Sequence, residues 1–228
     1  MIAELLAREL SSARWGPKAA RLSQAALHGV PVPQGLCLDS AAGPAALDQH
    51  RPALAHWLTA TRPPAVIVRS SATAEDGAEV SAAGRFLTVR DVRPHLADVL
   101  DALQRVSTSQ ERAGGGCVIV QQQLHAELMG VTFSRPDGSL LTEGSPAAAA
   151  VTDGAAPAFT MNSTRESFSL HGELTTVPPV LLALYLDRLV RRLAEIFPFP
   201  LDLEWATVAG QVFLLQVRPV TASIEPAA

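Results

Sequence analysis

Hydrophobic residues follow two different patterns along the chain, and each pattern predicts a type of secondary structure. In some stretches they recur every three or four residues, as in amphipathic helices. The clearest helical repeat comprises Leu182, Leu186, Leu189, Leu193 and Ile196. Elsewhere they form short continuous runs, which are typical of buried strands. The clearest of these runs are 65–69, 85–89, 117–121 and 130–134.

Three glycines at 114–116 separate two halves of different character. The first half predicts the order helix, helix, strand, helix, strand, helix. The second half is mostly β, apart from one helix that Pro198 and Pro200 end before a final strand pair. We therefore expect an α+β fold with an N-terminal lobe at 1–115 and a C-terminal lobe at 116–228.

The final predicted hairpin, 201–219, carries polar side chains among apolar ones. Asp202 and Glu204 are two residues apart and share one face of their strand, as Gln216 and Arg218 do on the partner strand. The two pairs face the same side if the connection has odd parity or carries a bulge. Two carboxylates, an amide and a guanidinium could then hold a divalent cation with its phosphates. The alternative is a solvent-facing strand pair with polar outward residues.

A second candidate segment, 69–76, directly follows an apolar strand. It offers the guanidinium of Arg69, the hydroxyl groups of Ser70, Ser71 and Thr73, and several backbone amides. These groups bind phosphate in proteins, so the segment predicts a phosphate site. An ordinary serine-rich turn is the alternative interpretation.

Two further segments are candidates for contact with a nucleotide. The stretch 77–84 is rich in small residues, including Ser81 and Gly84, and could close over a nucleotide as a flap or form a plain surface loop. Lys18 follows Pro17, which suits the first position of a helix. A lysine there opposes the helix dipole, so an anionic ligand would explain it, although a solvated lysine is the simpler alternative.

Composition narrows the classes of partner. The 228-residue chain is 48% hydrophobic and has a net charge of -4 without a long basic run, which does not indicate nucleic acid or membrane binding. Cys37 and Cys117 lie in apolar runs and are expected to be buried thiols, as in a cytoplasmic protein. The charged N-terminus does not have the pattern of a signal peptide, and no apolar run is long enough to predict a membrane span.

In combination and order, these segments resemble the nucleotide-binding domain shared by phosphoenolpyruvate synthase, pyruvate phosphate dikinase and rifampin phosphotransferase, a branch of the ATP-grasp superfamily. The resemblance runs almost end to end, in a shortened form. It rests on the segments 16–22, 29–35, 66–76, 118–121, 130–134, 202–206 and 214–221. Its most specific parts are the string Arg-Ser-Ser-Ala-Thr-Ala-Glu-Asp at 69–76 and the closing Leu-Gln-Val-Arg-Pro at 215–219.

The resemblance implies a two-lobed ATP-grasp-like domain with ATP in a cleft between the lobes. The adenine would lie against the strand that ends in Gln121, and the phosphates under the flap. By matching position, Lys18, Arg69 and Arg218 would contact the phosphates as the catalytic cations. Arg112 matches a less specific position that also binds the nucleotide.

The resemblance also implies a metal site and a reaction. Glu204 and Gln216 would hold magnesium, with Asp202 beside them. In the family the phosphate passes to a histidine on a separate swivelling domain, leaving AMP and phosphate. No histidine of this chain has the family's glycine-rich setting, so the acceptor would be a separate phospho-histidine domain protein or a small molecule.

Departures from the family pattern keep other functions open. The family's glycine-rich turn with a nucleotide-binding glutamate is replaced by alanines at 147–150, and Gly-Gly-Lys has become Gly-Pro-Lys at 16–18. The alternatives are a reduced module that binds a nucleotide or a protein partner, and a ligase that acts through an acyl phosphate.

Overall fold

The computed structural model divides the chain into two compact units, Met1–Leu124 and His125–Ala228. It describes residues 2–4, 8–39, 49–73, 87–110, 116–147 and 156–220, with the backbone alone at 2–4. We refer to the two parts as the first unit and the second unit.

The first unit combines helices with an antiparallel sheet. Its elements are β1 (Ile2–Glu4), α1 (Ser12–Trp15), α2 (Pro17–Leu27), β2 (Gly35–Asp39), α3 (Arg51–Thr61), β3 (Val66–Ala72), β4 (Thr88–Val92), α4 (Leu96–Gln110) and β5 (Gly116–Gln122). The strand order in the sheet is β1-β2-β5-β3-β4. Before α4 the described residues form four strands where the predicted order has two, because short apolar runs such as 36–38 carry little periodicity.

One face of this sheet forms the core of the first unit with α3 and α4. Val66 and Val68 of β3 and Val118 of β5 pack in this core with residues such as Leu103 of α4. Side chains alternate along a strand, so the even-numbered residues of β3 face α4 and the odd-numbered residues face the opposite side. This alternation decides which candidate side chains share a face.

The boundary between the units lies later in the chain than the predicted one at 115/116. Strand β5 begins at the glycine run but pairs with both β2 and β3, so it belongs to the first sheet. The glycines mark the end of α4 and the start of a central strand, and the chain enters the second unit only after Leu124.

The second unit contains one sheet and one helix among the residues that the structure describes. Its elements are β6 (Leu128–Ser134), β7 (Leu140–Pro146), β8 (Phe159–Ser163), β9 (Phe168–Gly172), α5 (Pro179–Ala194), β10 (Leu201–Val208) and β11 (Gln211–Pro219). The antiparallel sheet has the order β11-β10-β6-β7-β8-β9. The helix predicted from the leucine repeat is α5, which ends two residues before Ile196.

The second sheet has one mostly buried face and one half-buried face. On the buried face, the indole of Trp205 donates a hydrogen bond to Thr132 Oγ1 at 2.9 Å, and its ring lies against Gly130. The apolar side of α5, including Leu182 and Leu186, is buried as well. Val131, Glu143 and other residues of the opposite face are partly accessible, so this second face is available for ligands.

Within the described residues, none of the helices has the length and hydropathy needed to cross a membrane.

Candidate functional site

The candidate residues of the first unit meet where α2 begins beside the end of β3. Lys18 Nζ donates a hydrogen bond to the carbonyl oxygen of Ser70 at 3.3 Å. The backbone amide of Ala19 donates to Ser71 Oγ at 3.0 Å. Arg69 is a buried residue on the same face of β3 as Ser71. The structure thus brings Lys18, Arg69 and the end of the predicted phosphate strand together.

The close approach of α2 to β3 depends on Gly16. This residue precedes α2 with a φ of 77°, and a Cβ on it would lie 2.1 Å from the carbonyl oxygen of Ser71. Only glycine has both the required φ and the required space. Pro17 then begins the helix, as predicted from its position in the sequence.

The two serines of the strand have different roles from those expected. The side chain of Ser70 faces α4 and is 1% exposed, so its contact with Lys18 is made by its carbonyl oxygen. The hydroxyl group of Ser71 accepts the amide hydrogen bond from the first turn of α2. The sequence alone does not show which of two adjacent serines faces α2 and which faces α4. The alternation of side chains along β3 decides this.

Gln121 and Thr73 occupy different environments. Gln121 is buried on β5, shares a sheet face with Arg69 through the pairing of residues 67 and 121, and donates from Nε2 to the carbonyl oxygen of Pro33 at 2.8 Å. Thr73 is exposed immediately after β3. The remaining nucleotide-binding predictions, Ser81, Gly84 and Arg112, lie outside the described residues, as do 148–150 of the alanine run.

We expect Ser71→Ala to destabilise the protein by about 1–2 kcal/mol, because it removes an acceptor for a buried helix N-terminal amide. The free energy of unfolding in urea would measure the effect. Thr59→Ala is the matched control, since Thr59 is an exposed helical residue that bonds the carbonyl of Ala55 in its own helix. Equal unfolding midpoints for Ser71→Ala and the wild type would contradict the role of this hydrogen bond.

In the second unit, the register of β10 and β11 gathers the polar residues of the closing hairpin. Asp202 is paired with Arg218, and Glu204 with Gln216. The two-residue turn at Ala209 and Gly210, where both φ angles are positive, would by itself place Glu204 opposite residue 215. A register shift between Glu204 and Trp205 corrects this by one residue. The two pairs face each other because of that bulge.

Asp202 and Arg218 form an ion pair at the end of the hairpin. Arg218 Nε donates to Asp202 Oδ2 at 2.6 Å, and the side chain of Asp202 is buried while that of Arg218 is 45% exposed. Burial raises the pKa of Asp202 above its ordinary value, the hydrogen bond and charge of Arg218 oppose this rise, and the charge of Glu204 adds to it. The pKa of Asp202 is therefore higher in the folded protein than in the unfolded chain. As pH rises from the unfolded to the folded pKa, the free energy of unfolding falls, because the folded state holds the proton more tightly.

Glu204 and Gln216 bring a carboxylate and an amide side by side on adjacent strands. Both are partly accessible, and they are direct cross-strand partners. A carboxylate and an amide oxygen suit magnesium, which takes only one or two protein carboxylates and completes its shell with phosphates and water. Within the described part of the chain, no three His, Cys, Asp or Glu side chains are grouped to hold a metal ion.

Glu143 is a further acidic residue on the same half-buried face. Val131 of β6 is paired with Glu204 on one side and with Glu143 of β7 on the other. One strand therefore separates the two glutamates, which corresponds to about 10 Å between their Cα atoms. Sequence reasoning missed Glu143, although a lone carboxylate within an otherwise weakly polar strand is the kind of signal that identified Glu204.

Comparison with known proteins first gives a sequence relative. No protein-family model matches the chain. A probable phosphoenolpyruvate synthase from Methanothermobacter thermautotrophicus is 30% identical in an alignment of length 202, and the match covers 68% of this chain and 29% of that protein. The chain thus spans less than a third of this relative, and the similarity lies in the family that the sequence motifs indicated.

Solved structures show the fold. The biotin carboxylase domain of 2-oxoglutarate carboxylase from Hydrogenobacter thermophilus, in complex with MgADP, has a TM-score of 0.52 at 10% identity over 87% of this chain and 38% of its own. The D-alanine-D-alanine ligase of Helicobacter pylori has a TM-score of 0.52 at 11% identity over 87% of this chain and 52% of its own. At these identities the likeness concerns the fold alone, and it confirms the predicted α+β ATP-grasp-like class.

Proposed function

We propose, from the premise that this chain is a shortened ATP-grasp domain, that it binds Mg-ATP and transfers phosphate from it. The phosphoenolpyruvate synthase relative and the MgADP complex of the carboxylase neighbour support this choice of nucleotide and metal. The acceptor is a histidine on a partner protein or a small molecule. Since the relative is more than three times longer than the matched part, its whole activity does not follow for this chain.

The observation that carries the proposal is the paired register of the closing hairpin. A bulge places Glu204 opposite Gln216 and Asp202 opposite Arg218 on the half-buried sheet face. A solvent-facing hairpin would need no such correction, and it would not bury Asp202 beside an arginine at the cost of desolvation. The arrangement suits a bound cation and its phosphates.

In this proposal Glu204 and Gln216 hold magnesium, and Arg218 contacts a phosphate oxygen while Asp202 fixes its guanidinium. Bound magnesium would neutralise charge on the phosphates and align them for transfer. Arg218 adds a planar set of donors, which suits phosphate geometry. Asp202 acts mainly on Arg218, because its Oδ2 is already engaged in the ion pair.

Residues of the first unit are proposed to supply the other phosphate contacts. Lys18 projects from the first turn of α2, where the helix dipole also favours an anion. Arg69 provides a second cation on the adjacent strand. Cations at these positions would stabilise the charge that develops during phosphoryl transfer, and this stabilisation is most of the catalysis that the reaction requires.

Calorimetric titration with Mg-ATP, followed by separation of the nucleotides after incubation with candidate acceptors, tests the proposal. AMP with free phosphate would support transfer to histidine, and ADP would support direct transfer to a small molecule or a ligase reaction. Binding without turnover would favour a nucleotide-binding module. Absence of Mg-ATP binding would overturn the proposed function.

A further inference from the structure

Three buried polar side chains lie at the end of α4 and of β3, outside the proposed phosphate contacts. Ser70, Ser107 and Gln110 are each 1% exposed. Ser70 Oγ, Ser107 Oγ and Gln110 Oε1 have no hydrogen-bond partner within the described parts of the chain. Buried polar atoms are nearly always bonded to protein or to ordered water, so three together require an explanation.

The fold places these three side chains in one region of the first unit. Ser107 and Gln110 are three residues apart and share one side of α4. Gln110 Nε2 donates to the carbonyl oxygen of Cys117 at 2.9 Å, which holds the end of α4 against β5. The next residue, Val118, is paired with Ser70. Ser70 points from β3 toward α4, because it alternates with Val68, which packs in the same core as α4.

A small molecule that both donates and accepts hydrogen bonds suits these three atoms. None of them is hydrogen-bonded to another, so the atoms do not satisfy one another directly. Each serine hydroxyl has a hydrogen to donate, and the amide oxygen of Gln110 needs a donor. Water can accept from the hydroxyl groups and donate to the amide oxygen, whereas a metal cation would occupy lone pairs and leave the hydroxyl hydrogens without acceptors.

We propose that one water molecule is bound in this polar pocket, defined by Ser70, Ser107 and Gln110. It joins the last turn of α4 to the end of β3. The carbonyl oxygen of Ser70 is the group that contacts Lys18, so the water also supports the strand that positions this lysine from the side opposite α2. A water molecule at this position would stabilise the first unit whether or not ATP is bound.

A crystal structure of the full chain at a resolution that shows ordered water tests the site directly. We expect one peak about 2.7–3.2 Å from Ser70 Oγ, Ser107 Oγ and Gln110 Oε1. An absence of density there would overturn the proposal. Crystals grown with thallium(I) provide a second test. An anomalous peak in the pocket would identify a monovalent cation instead of water, which would also overturn the proposal.

A double-mutant cycle tests the same site in solution. Because Ser70 and Ser107 would share one water, Ser70→Ala and Ser107→Ala should each raise the unfolding equilibrium constant, and the double variant should raise it by less than the product of the two factors. Ser109→Ala is the matched control, since Ser109 bonds the carbonyl of Val106 within the same helix end. Its effect should multiply with that of Ser70→Ala. If the effects of Ser70→Ala and Ser107→Ala on the unfolding equilibrium constant also multiplied, a shared water would be contradicted.

Discussion

Glu204→Gln is expected to lower turnover of Mg-ATP about a hundredfold or more, because it removes the carboxylate proposed to hold magnesium. Glutamine has almost the same shape and Glu204 is only partly buried, so the fold should be retained. Calorimetric titration at several magnesium concentrations would show the loss as a weaker dependence of nucleotide affinity on magnesium. Circular dichroism and the unfolding midpoint would show that the structure is intact.

Glu166→Gln is the matched control for this substitution. Glu166 is an exposed glutamate in the turn between β8 and β9, away from the closing hairpin, and its replacement changes the net charge of the second unit by the same amount. It should leave affinity and turnover unchanged. If the two variants behaved alike, the metal assignment would be refuted, while Mg-ATP binding by the wild type would still support the broader proposal.

Arg218→Ala is expected to have two effects. Loss of a charge-assisted phosphate contact should weaken Mg-ATP binding by about 10- to 100-fold. It should also destabilise the protein, because Asp202 is 5% exposed and would lose its cation. Breaking a fully buried pair costs about 3–5 kcal/mol, but the exposure of Arg218 reduces the expected loss to about 1–3 kcal/mol. Calorimetry and urea unfolding measure the two effects separately.

The double variant Asp202→Asn with Arg218→Ala separates these roles. Asparagine removes the buried charge that Arg218→Ala leaves without a partner, so it should recover much of the lost stability. Nucleotide affinity should remain low, because the phosphate contact is still missing. Recovery of both properties would show that Arg218 acts only through the fold. Recovery of neither would show that the lost stability does not come from the unpaired charge of Asp202.

The closing hairpin shows how far sequence reasoning reaches. Spacing alone placed Asp202 with Glu204 and Gln216 with Arg218, since alternation along a strand is a strong constraint. It left open whether the two pairs face each other, because this depends on a bulge. The residues at the bulge, Leu214 and Leu215, are both leucine and contain no glycine or polar residue that would mark it.

The first unit shows what sequence reasoning misses. The glycines at 114–116 were interpreted as a boundary between lobes, yet Gly116 begins the central strand β5. A local break in periodicity predicts where an element ends, but strand pairing depends on contacts with β2 and β3, which are distant in sequence. For the same reason, the sequence did not distinguish the hydroxyl group of Ser71, which bonds α2, from that of Ser70, which faces α4.

The bulge determines how many residues separate Glu204 from Gln216 along the chain. With this two-residue turn, a ladder without a bulge would pair Glu204 with Leu215, one residue before Gln216. A homologous hairpin that lacks the residue equivalent to Leu215 would therefore keep its carboxylate opposite its amide, but in a straight ladder. Deletion of this one residue should leave both polar pairs opposite each other. Sequence alignments of such hairpins should therefore match the paired residues first and place the gap at the bulge.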